Sequence, residues 1–214
     1  MALLVIIYLA FISLGLPDSL LGAAWPSMYL SIGADQSSAG IASFVVCGGT
    51  IISALFSNRL VHRFKTGSVM VVSVSMTAVA LFGISAASSM IAVCLWAVPL
   101  GLGAGCVDAV LNNFVALHYK AKHMSWLHCF WGVGATLGPM VMSMMLVNGS
   151  GWRQGYSAIS YIQAGLTVIL ILSIPLWRKV EGVGAPESPG GKPVVSNRQV
   201  ICVPGLKYAL AAFA

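Results

Sequence analysis

Two aspartates stand where charge is costly. Asp18, in "GLPDSLLG" (residues 15–22), and Asp108, in "GCVDAVLN" (105–112), each interrupt a long apolar run that holds no other charge. An ionisable side chain within hydrocarbon faces a cavity or a bundle interior and marks an ion or solute pathway. At helical spacing Asp18 shares a stripe with Phe11, Gly15, Gly22 and Trp25, and Asp108 with Gly101, Gly105 and Asn112. Further runs add His128 and Trp131, and Gln163 aligned with Tyr156, Ser160 and Thr167. Carboxylates and amides bond hydroxyls, and an aromatic face covers the apolar face of a sugar ring. The expected chemistry is therefore recognition of a small polar solute, such as a monosaccharide. Asp18, Asn112, Trp25, Trp131 and Gln163 are the expected contacts, and Asp108 with Asp18 the expected proton carriers.

Structural roles compete for the same residues. Asp18 follows Pro17 and also suits a cap on a broken helix. His128 and Gln163 also suit hydrogen bonds between helices, and Trp25 and Trp131 suit packing or interface anchoring. The glycines of "GLGAG" and "GVGATLGP" read first as close-packing devices.

The elements that must position these side chains are membrane spans. Hydrophobic residues make up 58% of the 214-residue chain and charged residues 7%, far below the roughly 25% of soluble domains. Crossing about 30 Å of hydrocarbon takes about 20 apolar residues. Six runs qualify: 2–30, 38–57, 67–87, 91–117, 124–147 and 155–177. They lack the alternation of barrel strands. The predicted fold is an all-α, six-helix transmembrane bundle over residues 1–178. A Pro/Gly-rich cytoplasmic linker is expected over 179–203, and the start of a truncated seventh span over 204–214.

Basic residues cluster in the connections after spans two, four and six, while those after spans one, three and five hold only Arg153. This predicts a multi-pass protein of the cell membrane with a cytoplasmic N-terminus. The charges do not form a patch suited to nucleic acid. Five scattered cysteines without a C-x-x-C pair argue against disulfides and a zinc site. No metal, cofactor or enzymatic activity is expected. An intramembrane aspartyl protease would want G-x-G-D, and "GAGCVD" spaces its glycines otherwise.

The two aspartate motifs both read G-x-x-D-x-x-L and lie 90 residues apart. The same offset pairs Gly48 with Gly138, Ser53 with Ser143 and Arg63 with Arg153, and lays spans one to three over spans four to six. Three spans is an odd number, so the second unit must be inverted. A 3+3 inverted repeat places its site near the midplane, with the two acids at levels roughly 10 Å apart.

"GLPDSLLGAAWP", "LGLGAGCVDAVLNN" and "LHCFWGVGATLGP" resemble the fucose–galactose–proton symporter branch of the major facilitator superfamily, over residues 1 to about 178. The resemblance implies the N-terminal half of a twelve-span secondary transporter. Asp18, Asp108 and Asn112 would serve sugar binding and proton coupling, with proton or sodium as the driving cation. A C-terminal six-span half and the lipid bilayer are the implied partners. The superfamily's loop pattern G-x-x-x-D-R-x-G falls on "NRLVHRFK" (58–65), where only Arg63 is kept. Asn58, His62 and Lys65 stand in place of glycine, aspartate and glycine. "GVGATLGP" is also similar to an antiporter signature, so drug or metabolite efflux is the alternative, and a non-transporting fragment the third reading.

Overall fold

The computed structural model describes residues 2–182. The remainder of the predicted linker and the start of a seventh run lie outside the described residues. Six spans are helical: α1 (Ala2–Asp18) with α2 (Leu20–Ile32), α3 (Ala39–Phe64), α4 (Thr66–Ser85), α5 (Met90–His118), α6 (Ala121–Val147) and α7 (Trp152–Gly182). All six have the length and apolarity to cross a membrane, and no strand occurs among the described residues.

The first span is broken at Ser19 (φ −100°, ψ 1°), directly after Pro17 and Asp18. Proline has no N–H, so the carbonyl four residues earlier, on Ser13, loses its helical partner. An unsatisfied carbonyl in hydrocarbon costs several kcal/mol. Gln163 of α7 removes that cost: its Nε2 donates to the Ser13 carbonyl at 2.6 Å, and the Ser13 hydroxyl donates back to its Oε1 at 2.7 Å. The same device recurs in reverse. Pro139 in α6 frees the Ala135 carbonyl, which accepts the Ser19 hydroxyl at 2.7 Å.

The second span is longer than expected. The sequence places a connection from residue 58, yet α3 continues through Arg59 and Arg63 to Phe64. Polar residues stay helical once a helix has left the hydrocarbon, so the apolar run marks the membrane and not the helix. Lys65 alone joins α3 to α4, at φ 64° and ψ 153°. That region of backbone space is essentially reserved for glycine. The structure thus gives the physical reason why glycine suits this place in the loop pattern.

The large interfaces all join one repeat to the other: α1 on α6, α3 on α5, and α4 on both α5 and α7. Exchanging the repeats maps the α1–α6 pair onto the α5–α3 pair. Glycines set the closeness of both. A Cβ on Gly134 would collide with the Ile12 carbonyl, and one on Gly49 would press on the backbone at Leu102. Ile12 and Leu102 are 90 residues apart, but Gly49 and Gly134 are 85 apart. The constant offset therefore holds for spans one and four and slips by five at spans two and five. The expected pairings of Gly48 with Gly138 and Ser53 with Ser143 are corrected accordingly. Arg63 and Arg153 are not equivalent either, since one ends α3 and the other begins α7. The cause is a shorter connection before α6 than before α3.

Two apolar clusters fill the bundle. One gathers Ile7, Phe11, Phe114 and Trp177 towards the N-terminal side; the other gathers Leu20, Trp25, Met28 and Tyr156. The two aspartates lie at the level between them. Seven of the eight described basic residues sit on the N-terminal side of the bundle. The eighth, Arg153, donates to the Ser85 carbonyl at 2.9 Å and lies 4.4 Å from the Trp152 ring centre. It is spent on the end of α4, where a cation complements the helix dipole.

Candidate functional site

Between the apolar clusters lies a cavity of about 310 Å³, at the small end of the roughly 300–1,000 Å³ typical of ligand sites. Asp18, Asp108, His128, Trp131 and Thr50 line it, with Leu14, Val46 and Ala104 as apolar wall. These residues come from spans one, two, four and five; spans three and six only buttress. Both aspartates are exposed on this face.

The two acids are held differently. Trp131, on α6, donates its indole N–H to Asp18 Oδ2 at 2.7 Å. The bond fixes the indole beside the carboxylate while leaving the ring 39% exposed, so a face is open to a solute. Asp108 receives Asn112 Nδ2 at 2.9 Å from one turn along its own helix, and the same nitrogen lies 3.0 Å from the Asp108 carbonyl. His128 enters from α6 with its ring edge-on to Phe11, 6.0 Å between centres.

The fold brings Asp18, Asp108, Trp131 and His128 together, with Asn112 attached through Asp108. Gln163 and Trp25 do not line this cavity. Gln163 is 1% exposed, and both ends of its amide are committed to Ser13. Trp25 is buried; its indole donates to the Gln36 carbonyl at 2.8 Å and its ring stacks on Tyr29. Each ties elements together. Thr50 went unread in the sequence. Its hydroxyl donates to the Val46 carbonyl at 3.0 Å and lies 3.3 Å from the Gly101 carbonyl of α5. The readable signal was its place one turn after Val46 on the face that meets the Gly101 stripe. Among the described residues no group of three His, Cys, Asp or Glu side chains is placed to hold a metal ion.

Comparison with known proteins fits this geometry. A family model described as Major Facilitator Superfamily matches residues 7–214. The chain belongs to the major facilitator superfamily. With six apolar spans, this superfamily member is a multi-pass membrane protein. Synaptic vesicle glycoprotein 2A of Rattus norvegicus and of Homo sapiens are each 23% identical to it over 189 residues. Those matches cover 85% of this chain and 25% of theirs, so the chain spans about a quarter of the curated relatives it matches. A crystal structure of the peptide transporter POT, a variant in complex with alafosfalin, superposes with TM-score 0.67 at 15% identity. That superposition covers 98% of this chain and 45% of the transporter, and it establishes the major facilitator fold.

Proposed function

We propose that this chain is the N-terminal six-span unit of a secondary active transporter. It moves a small polar solute, a monosaccharide by our reading, driven by a proton or sodium gradient. The observation that carries the reading is the convergence of Asp18 and Asp108 on one cavity with an open tryptophan face. Asp18 and Trp131 are the solute contacts; Asp108, steadied by Asn112, carries the coupling proton. Membership of the fucose–galactose–proton symporter branch rests on the three motifs around Asp18, Asp108 and His128. The clustering of basic residues supports a cytoplasmic N-terminus in the cell membrane. A second six-span unit would complete the site, since alternating access rocks one bundle against another.

Radiolabelled sugar uptake into vesicles, with and without an imposed proton or sodium gradient, tests this. Gradient-stimulated, saturable uptake is expected. Extrusion of hydrophobic cations without uptake of any sugar would replace the reading with an efflux antiporter. No movement of either would leave an interaction role.

A further inference from the structure

The far face of α5 carries a second concavity. α5 turns Ala104 and Asp108 to the cavity described above, and Leu102 and Cys106 to its opposite side. There α3 and α4, which each pack on α5 or its neighbours and touch one another little, leave a groove of about 470 Å³ with Leu102 and Cys106 as its floor. Ile52, Phe56 and Phe64 of α3 form one wall, and Val72 of α4 stands in the other. The polar atoms at depth are engaged: Ser53 donates to the Thr50 carbonyl at 3.2 Å, and Ser73 hydrogen-bonds Cys106. Ser68 stands in the first turn of α4, at the mouth on the N-terminal side. From Ile52 to Phe64 the groove runs about 18 Å, roughly the 15 Å of hydrocarbon in one leaflet.

Basic side chains flank the outer end. Ile52, Phe56, Arg59 and Arg63 share one stripe of α3 at helical spacing. The Arg59 guanidinium carbon lies 5.5 Å from the Phe56 ring centre, and that of Arg63 lies 5.6 Å from the Phe64 ring centre. Two rings that line the groove thus hold two guanidiniums at its rim. α3 and α4 contain no acidic residue, and the one acid of α5, Asp108, faces the other cavity.

Shape and charge together select an occupant. Spread over that length, the volume gives a mean cross-section of about 26 Å², of the order of one hydrocarbon chain, whereas a helix is about 10–12 Å across. A soluble anion would meet the arginines and leave the apolar walls unused. A zwitterionic headgroup would bring an ammonium beside two guanidiniums, with no carboxylate of α3 or α4 to receive it. We infer that the groove binds an anionic glycerophospholipid, with one acyl chain along α3, α4 and α5 and the phosphate held by Arg59 and Arg63. The guanidinium fork matches phosphate oxygens, and basic pockets between transmembrane helices take anionic headgroups. The aspartate cavity has no part in this inference, which stands independently of the transported solute.

The test is native mass spectrometry of the purified full-length protein, titrated in detergent with dioleoylphosphatidylglycerol or dioleoylphosphatidylcholine. The first phosphatidylglycerol should bind about tenfold tighter than the first phosphatidylcholine. Arg59→Gln combined with Arg63→Gln should erase that preference. Lys120→Gln combined with Lys122→Gln removes the same charge beside the start of α6 and should leave the preference intact. Val72 is exposed within the groove; Val72→Trp fills the space, keeps both arginines and should weaken phosphatidylglycerol about tenfold. The soluble headgroup glycerophosphoglycerol should not compete at the lipid's concentration. Equal affinity for the two lipids, an equal loss in the lysine pair, or unchanged binding in Val72→Trp would overturn the inference. Competition by the headgroup alone would assign the arginines to a soluble anion, and a dimer that excludes lipid would assign the groove to a second copy. Either result would overturn it as well.

Discussion

Asp18 and Asp108 occupy equivalent places in two repeats, yet they are wired in opposite ways. Asp18 sits at a break in its helix and is bonded across to Trp131 in the other repeat. Asp108 sits in an unbroken helix, and among the described residues its side chain is hydrogen-bonded only to Asn112 of that helix. A bond between helices changes whenever the helices shift; a bond within one helix does not. On the function proposed above, the difference implies a division of labour: the first acid senses the arrangement of the bundle, while the second keeps its hydrogen bond and is free to exchange a proton. The neighbourhoods repeat the contrast, because the position of Trp131 is matched by Val46 in the first repeat, and that of Asn112 by Gly22.

The largest expected effect tests the second acid. Asp108→Asn should abolish gradient-driven accumulation in vesicles while leaving exchange of solute down its own gradient. Accumulation equal to the parent would remove Asp108 from coupling.

Next comes the bond between repeats. Trp131→Phe keeps a ring and deletes the donor to Asp18, a loss of about 1.5–3 kcal/mol for a bond to a charged group. Solute affinity should fall about 10- to 100-fold, measured by equilibrium binding, and Asp18→Asn should fall in the same range. If Asn112→Ala weakened binding more than either, the assignment of the two acids would be reversed.

A smaller effect concerns the break itself. Gln163→Leu strands the Ser13 carbonyl and should cost about 1–3 kcal/mol in thermal unfolding in detergent. Pro17→Ala restores an N–H for that carbonyl, so the cost of Gln163→Leu should shrink in the Pro17→Ala background. Additive losses would mean that the amide does not serve the proline.

The smallest effect lies at the joints between second and third spans of each repeat. In the second repeat, positive φ angles fall on Gly149 and Gly151; in the first, one falls on Lys65. Lys65→Gly should relieve strain of about 1–3 kcal/mol, partly offset by the entropy glycine loses on folding. A net gain of about 1 kcal/mol is expected as a higher unfolding temperature. A neutral or destabilising result would show that the lysine side chain repays its backbone.

Much of this is legible in the amino-acid sequence. Hydropathy located all six spans because every one must be apolar for its whole crossing, and the two acids stood out because nothing else charged shares their runs. The repeat was legible at Asp18 and Asp108, where the offset is constant. Its slip at spans two and five was hidden, since a difference in loop length leaves no mark on either helix. Gln163 and Trp25 were read towards the cavity because a stripe gives a face and not its neighbour. Asking which donor serves the carbonyl freed by Pro17 would have pointed from Ser13 to a polar residue elsewhere in the bundle. The true end of α3 was illegible because helix and hydrocarbon stop at different residues.

The cross-repeat pairing also bears on biosynthesis. A chain leaving the ribosome has its first three spans complete before either α5 or α6 exists. Those spans make few contacts among themselves, and their glycine-lined grooves match surfaces not yet synthesised. The first repeat must therefore wait in the bilayer, laterally unattached. Only when the fourth and fifth spans enter do α3 and α1 find their partners. Assembly of this bundle is thus an exchange between early and late segments, and the order of translation leaves the first half dependent on the second.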